Sequence, residues 1–385
     1  MNEKLKMGMV GGGIDSFIGS IHRKAAVMDG QIDFIAGALS SSEKKARDSA
    51  KEQFLNENRS YGSWEEMLEK ELILPESERI DFVSIVTPNH THFSISKAFL
   101  ESGFHVICDK PMTYSLAEAK QLVEIVQNSD SIFALTHNYT GYPMVKQARH
   151  MVNNGDLGKL IKVIVEYPQG WLLLPLEKEG HKQADWRTDP LRSGVSNCMG
   201  DIGSHCENLV HYITGLKIKE VCADLMSLGE RSLDNDGNVL LHFENGVSGV
   251  LHASQISVGE ENNLNIRVYG DKASIEWHQE TPNTLWYKTN DEPARLYKRG
   301  NDYLCEAAKR ATRLPAGHPE SFIEAFANIY VNVANTIKSK ILGTEPTQFD
   351  LDFPNVVDGV RGMAFIESII ESAKIDKKWY QIKEY

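Results

Sequence analysis

From residue 6 to about residue 138, short apolar runs alternate with stretches in which apolar residues recur every three or four positions. That is the pattern of strands alternating with amphipathic helices. Runs at residues 6–10, 32–39, 81–86, 105–108 and 132–136 predict strands, and residues 18–28, 42–56, 92–102 and 116–127 predict the helices between them. Repeated βαβ units build a parallel sheet with helices on its faces, a doubly wound α/β domain. After Pro143 the texture changes. A helix to about residue 153 and the turn Asn154-Gly155-Asp156 lead into alternating segments at 159–166, 220–227, 238–243, 247–255 and 263–269, with turn signals at Glu244-Asn245-Gly246 and Gly270-Asp271-Lys272. Strands without a helix after each one predict a large, mostly antiparallel sheet in an α+β domain. Two amphipathic helices, 319–340 and 354–373, follow. The expected division is residues 1–141 and 142–385, with the last helix packing on either part.

Composition adds limits. A chain of 385 residues with 41% hydrophobic and 24% charged residues can bury two sizeable cores. The net charge is -12 and basic residues are scattered among acidic ones, which argues against nucleic acid or an anionic membrane as partner. The first residues, Met1 to Lys6, carry no apolar signal-like run, and no later stretch is long enough to span a bilayer. The expected location is the cytoplasm. Five cysteines at irregular spacing, with no C-x-x-C pair, read as reduced thiols. His90 with His92, and Cys198 with His205 and Cys206, supply no full tetrahedral ligand set, so no metal is expected.

Candidate chemistry begins after the first strand, at Gly8-Met9-Val10-Gly11-Gly12-Gly13. Glycines there let backbone approach a pyrophosphate, and a following helix N-terminus stabilises its charge. Gly11, Gly13, Ser16, Phe17 and Ile18 are the candidate contacts. Three extra residues separate Gly13 from the helix-packing Gly19, and a glycine-rich turn ending a buried strand remains the alternative. The second strand ends Ala38-Leu39-Ser40-Ser41-Ser42 without the acidic residue of a typical NAD site. Ser40 and Ser41 suit either a ribose or a 2′-phosphate, so NAD and NADP both stay open.

Two further strands end in polar groups, Thr87-Pro88-Asn89-His90-Thr91-His92 and Cys108-Asp109-Lys110-Pro111, at the carboxyl ends where open α/β sheets bind ligands. Downstream, Asp185-Trp186-Arg187 and Met199-Gly200-Asp201-Ile202-Gly203-Ser204-His205 precede a helical stretch. Residues four apart share a helix face, so Asp201 and His205 can point together. Taken singly, Asp201 reads equally as an N-cap, His205 as a half-buried histidine and Lys110 as an exposed residue before a proline.

In order and spacing these motifs resemble the Gfo/Idh/MocA family, the glucose-fructose oxidoreductase and inositol dehydrogenase group, along nearly the whole chain. The motifs are the glycine loop with His22 behind it, Thr87-Pro88-Asn89 with His92, Lys110-Pro111, and Asp201-x-Gly203-x-His205. The resemblance implies a Rossmann domain for the first part. It also implies Lys110 as catalytic lysine, Asp201 as substrate-orienting aspartate and His205 as general acid/base. Sugars, glycosides or inositols are the implied substrates, and a homodimer or homotetramer the implied assembly, with the second sheet as substrate floor and subunit interface. Asp109 stands where the family usually has Glu, and Thr140 follows Asn138-Tyr139 where an arginine is common.

Oxidising a secondary alcohol needs a base, a donor to the developing alkoxide and a hydride acceptor. The ordinary pKa of a histidine lies near neutrality, so His205 suits the base, Lys110 the donor, and Asp201 a hold on a neighbouring hydroxyl. Thr87, Asn89, His92 and Lys110 are expected near the cofactor. Asn138, Tyr139, Trp186, Arg187 and His318 are expected near the substrate, beside Lys110, Asp201 and His205. The apolar run at Trp171 to Leu174 suits either closure over a sugar or packing on a neighbouring subunit, and His318 either a helix start or a pocket wall. The competing functions are a redox-neutral, NAD-dependent glycosidase and a non-catalytic dinucleotide-binding sugar sensor.

Overall fold

The computed structural model describes residues 4–385, which form two compact units. The first holds the chain up to Asn138 together with Phe322–Gly359, and the second holds Tyr139–Ser321 with Val360–Tyr385.

In the first unit, strands β1 (Leu5–Gly11), β2 (Ile32–Ala38), β3 (Phe82–Val86), β4 (His105–Cys108) and β5 (Phe133–Leu135) alternate with helices α1 (Phe17–Val27), α2 (Glu43–Glu52), α3 (Trp64–Ile73), α4 (His92–Glu101) and α5 (Leu116–Gln127). All strand pairs are parallel, in the order β2-β1-β3-β4-β5. The order reverses between β1 and β3, and such a switch point opens a crevice at the strands' carboxyl ends. β3 is buried along its whole length, as expected for a strand covered on both faces. α3 was not expected from the sequence, because its interior is mostly charged. Its start is set locally by Ser63, whose hydroxyl accepts the Glu66 N–H at 3.2 Å, and by Glu66, whose carboxylate accepts the Gly62 N–H at 2.7 Å.

The second unit opens with α6 (Pro143–Asn153) and β6 (Leu160–Pro168), followed by the short helices α7 (Lys182–Arg187) and α8 (Pro190–Ser193). A π-helical turn, Met199–Gly203, then runs into α9 (Ser204–Thr214). Strands β7 (Ile218–Met226), β8 (Asp236–Phe243), β9 (Ser248–Ser254), β10 (Asn265–Gly270), β11 (Ser274–His278), β12 (Thr284–Lys288) and β13 (Arg295–Lys298) complete most of the sheet, and α10 (Glu306–Arg310) follows. Two helices come next, α11 (Phe322–Ile341) and α12 (Val356–Lys374), and then β14 (Tyr380–Gln381). The nine strands order as β13-β12-β11-β10-β6-β9-β8-β7-β14, antiparallel except for the central β6/β9 pair. The short strands β11 to β14 carry too few residues for a clear alternation, and the sequence did not single them out.

α11 returns to the first unit. Its stripe of Phe326, Ile329, Tyr330, Val333 and Ile337 joins Met7 and Met9 of β1 and Ala25 of α1 in one buried cluster. The boundary expected at 141/142 therefore lies at 138/139, and the helix expected at 319–340 belongs with the parallel sheet. The apolar face of that helix packs on a strand and a helix about three hundred residues earlier in the chain, a long-range choice that local periodicity does not encode. Among the described residues no helix is long and apolar enough to cross a membrane.

Candidate functional site

The site residues of the first unit cluster at the carboxyl ends of β1, β3 and β4. Gly11 has φ of 79°, and a Cβ there would lie 2.4 Å from the Val86 carbonyl oxygen. A Cβ on Gly13 would lie 2.4 Å from the Leu39 oxygen, and one on Gly19 2.4 Å from the Gly12 backbone. Glycine is thus required by close backbone approach at each position. The extra residues form a turn in which Ser16 N–H donates to the Gly13 carbonyl at 3.0 Å and Asp15 takes φ of 65°. Ser16 caps α1 by accepting the Gly19 N–H at 3.2 Å. Helix geometry leaves the first-turn amides, those of Phe17 and Ile18 among them, without intrahelical acceptors. The loop therefore presents the backbone cradle and positive helix end that a pyrophosphate requires, which is the fit expected of a dinucleotide site.

Two supports of this loop were not evident in the sequence. Arg23, in the second turn of α1, donates to the Gly12 carbonyl, and Ser49 of α2 accepts the Ile14 N–H at 3.1 Å. Near the end of β2, Ser40 is half-buried and accepts the Ser42 N–H at 3.2 Å, while Ser41 is exposed. Lys45, close behind, pairs with Asp15 at 3.3 Å.

At the end of β3, Thr87 accepts the Thr91 hydroxyl at 2.7 Å, and Asn89 is buried in the turn that opens α4. His92 is buried, with one ring nitrogen 2.8 Å from the Pro111 carbonyl and the other 2.8 Å from that of Thr87. The ring thus sits between the two strand-end loops, and in its neutral form its single N–H donates to one of the two carbonyls. Burial pushes its pKa down, against the pull of those carbonyls. Before Lys110, Asp109 accepts the Lys110 N–H and the Thr136 hydroxyl, both at 2.9 Å, and lies 3.9 Å from His22. His22 in turn meets Tyr330 of α11 at 2.7 Å, whose hydroxyl reaches Ser84 at 2.8 Å. Asn138, which ends the first unit, is buried.

In the second unit the polar residues gather around the π-helical turn. Asp201 lies within that turn, its N–H donating to the Asn197 carbonyl at 2.8 Å, so it is not the cap of α9. The capping is done by Asp234, a buried aspartate that accepts the Asn197 N–H at 2.9 Å and the Met199 N–H at 2.7 Å. A π turn re-aims side chains relative to an α-helix and is common at functional sites. One Asp201 carboxylate oxygen receives Arg187 Nε at 3.0 Å and Gln255 Nε2 at 3.0 Å. The Arg187 guanidinium also stacks 4.3 Å over Trp186.

His205, in the first turn of α9, is nearly buried, with its ring edge-on to Tyr139 at 4.7 Å. Tyr139 pairs with Tyr167 of β6, whose hydroxyl donates to Asn262 at 2.7 Å. Gln169 donates to the same Asn262 oxygen at 2.7 Å and accepts Trp171 Nε1 at 3.1 Å. Burial raises the Tyr139 pKa to about 12 and holds that of Tyr167 well above the ordinary phenol value, so both stay protonated at neutral pH. Tyr167, Gln169, Asn262, Asp234 and Gln255 were all missed in the sequence. Gln255 directly follows β9 and Tyr167 sits inside β6, where alternation marks a buried position but not its chemistry. His318 sits on an exposed turn, and its carbonyl accepts Arg299.

Residues 5–139 match the oxidoreductase family with an NAD-binding Rossmann fold, and residues 145–276 match the GFO/IDH/MocA C-terminal domain. The chain is 33% identical over 387 aligned residues to the uncharacterized oxidoreductase YfiI of Bacillus subtilis, covering 100% of this chain and 98% of that one. It is also similar to the crystal structure of an inositol dehydrogenase homolog complexed with NAD+ from Azotobacter vinelandii, with TM-score 0.94, 32% identity, and 98% and 97% of the two chains covered. The structure of an inositol dehydrogenase homolog from the same organism with NADH and myo-inositol gives TM-score 0.91 at 31% identity, covering 98% of each chain.

Proposed function

The chain belongs to the GFO/IDH/MocA oxidoreductase family, and from that premise we propose that it oxidises a secondary alcohol of a sugar, glycoside or cyclic polyol. Bound NAD or NADP supplies the hydride acceptor. Gly11, Gly13, Ser16, Phe17 and Ile18 hold the pyrophosphate, Ser40 and Ser41 the adenosine ribose, and Thr87, Asn89 and His92 shape the remainder of the cofactor site. His205 takes the hydroxyl proton, Lys110 donates to the same oxygen, and Asp201 accepts a neighbouring hydroxyl. Asn138, Tyr139, Trp186 and Arg187 complete the contacts to the ring.

The observation that carries this reading is the π-helical turn. It places an aspartate held by two donors and a nearly buried histidine on successive turns of one helical segment, beside protonated tyrosines. A carboxylate fixed at one oxygen and an imidazole against aromatic rings are suited to a neutral, hydroxyl-rich ring. The premise of family membership supports the NAD-linked redox step, and the inositol dehydrogenase homolog with myo-inositol supports the polyol class.

The proposal includes self-association as a homodimer or homotetramer. Strand register aligns Cys222, Leu240, Val250, Ile164, Arg267, Glu276 and Trp286 in one row across the second unit's sheet. Leu240 and Trp286 are 45% and 38% exposed in the single chain, so the row offers apolar surface to a second copy.

The test is the rise in reduced-nicotinamide absorbance when NAD or NADP meets inositols, aldoses and glycosides. His205→Ala should lower kcat by about 10²- to 10⁴-fold while leaving the dinucleotide Kd unchanged, and Lys110→Ala should lower kcat by a similar factor. Near wild-type turnover in either variant sinks the assignment of that residue. Cleavage of a glycoside without net reduction establishes the redox-neutral glycosidase, and dinucleotide binding without any turnover establishes the sensor.

A further inference from the structure

We propose that Gln255 is a positioning residue that fixes the Asp201 carboxylate, an inference that rests on the role given to Asp201 above. Gln255 follows the last residue of β9, and its backbone is pinned on both sides. Its N–H donates to the Asn235 carbonyl at 2.8 Å, and its own carbonyl accepts the Leu172 N–H at 2.9 Å. The fully buried side chain therefore starts from a fixed point on the sheet. Its amide nitrogen lies 3.0 Å from Asp201 Oδ2. The orientation of the amide is set by chemistry, because the reverse would place two acceptors against each other.

The amide oxygen of Gln255 is buried and finds no hydrogen-bond partner. The same holds for both side-chain polar atoms of Asn197 and for the amide nitrogen of Asn235, two residues whose backbones bond Asp201 and Gln255 respectively. A buried amide with an unmatched acceptor is destabilising, and leucine would fill similar volume without that penalty. Local rules are broken in this way mostly where function needs the group. The donor to Asp201 is what glutamine supplies and leucine lacks.

The other donor differs in kind. Arg187 sits on the six-residue helix α7, half-buried and stacked on Trp186, within a surface segment. Gln255 is the sheet-anchored half of the pair. Without Gln255 the carboxylate loses its sheet-anchored donor, and the hydroxyl it orients loses that fixed direction.

The experiment is a double-mutant cycle of Gln255→Leu and Asp201→Asn, read by steady-state kinetics, NADH fluorescence titration and thermal unfolding. Gln255→Leu is expected to lower kcat/KM for the alcohol by about tenfold or more. The Kd for NADH should not move, and adding Gln255→Leu to Asp201→Asn should cost nothing further. A merely structural glutamine gives the same additional loss in both backgrounds, and that result overturns the proposal. If Gln255→Leu does not fold, Gln255→Glu serves in the same cycle, since it keeps the shape and replaces the donor by an acceptor. If Asp201→Asn alone keeps wild-type turnover, the reaction assignment has failed. The crystal structure of the Gln255 variant then decides the positioning role. A displaced Asp201 carboxylate supports it, and an unmoved one overturns it.

Discussion

The two units build their site residues by opposite means. In the first, polar groups arrive at the ends of parallel strands, and the proposed cofactor cradle is made of backbone, glycine and one helix terminus. In the second, one irregular turn and a set of buried amides and tyrosines do the placing, through side chains far apart in sequence. A regular repeat tolerates changes in most side chains as long as its close approaches stay clear. A side-chain network depends on every partner and can be retuned one residue at a time.

Acid should separate the units most strongly. In the first unit the pKa values of His22, His92 and His105 are all lowered, chiefly by burial, that of His105 to about 4. A histidine with a depressed native pKa binds fewer protons folded than unfolded, so its stabilising effect is whole above the ordinary value of about 6.5 and is lost as pH falls towards the native pKa. Each such histidine withdraws about 1.4 kcal/mol per pH unit across that window. In the second unit, Asp234 is shifted the other way by burial, its pKa raised, so acid relieves the cost of its charge. Hydrogen exchange followed from pH 7 to pH 4.5 should show the parallel sheet losing protection first. Loss in the nine-stranded sheet first would reverse the comparison.

A matched pair of deletions sharpens it. Tyr330→Phe removes the hydroxyl shared by His22 and Ser84 within the first unit and leaves buried groups short of a partner. The expected cost is about 1–3 kcal/mol of stability, read by urea unfolding, with turnover of the surviving folded protein unchanged. Tyr139→Phe removes the hydroxyl that meets Tyr167 and Asn262 beside His205. There the loss should fall on kcat/KM. Equal kinetic effects of the two variants would show that the units do not divide the labour this way.

The same contrast explains what the chain revealed before its structure. The βα repeat, the glycine loop and the strand ends at Thr87 and Lys110 were legible because each is a local pattern with a local cause. Asp201 and His205 were legible as a pair on one helical stretch, but the spacing implied an α-helix, whereas a π turn capped by Asp234 carries the aspartate. Asp234 stands 33 residues downstream of Asp201, and Gln255 stands 54 downstream. Their roles are set by strand register in the nine-stranded sheet, which no periodicity reports. The return of α11 to the first unit was hidden for the same reason, since its amphipathic face fits any sheet of suitable width.

The smallest expected effect lies where the first unit breaks its own regularity, in the turn that lengthens the glycine loop. Asp15 adopts a left-handed backbone conformation there, with φ of 65°, and its exposed carboxylate pairs with Lys45 at 3.3 Å. Replacing Asp15 by glycine relieves the backbone but adds freedom to the unfolded chain, and the exposed ion pair contributes little, so stability should change by under about 1 kcal/mol. The electrostatic consequence is clearer. A negative charge leaves the loop proposed to receive an anionic cofactor, and Lys45 is released from its partner. Asp15→Gly should therefore bind NADH about two- to fivefold more tightly in low salt, by fluorescence titration, with the gain fading as ionic strength screens the exposed charges. A gain that persists at high salt would mean that the turn acts through backbone shape. Weaker binding at every salt concentration would mean that Asp15 holds the loop in its receptive form, so that here the first unit relies on a side chain as the second unit does throughout.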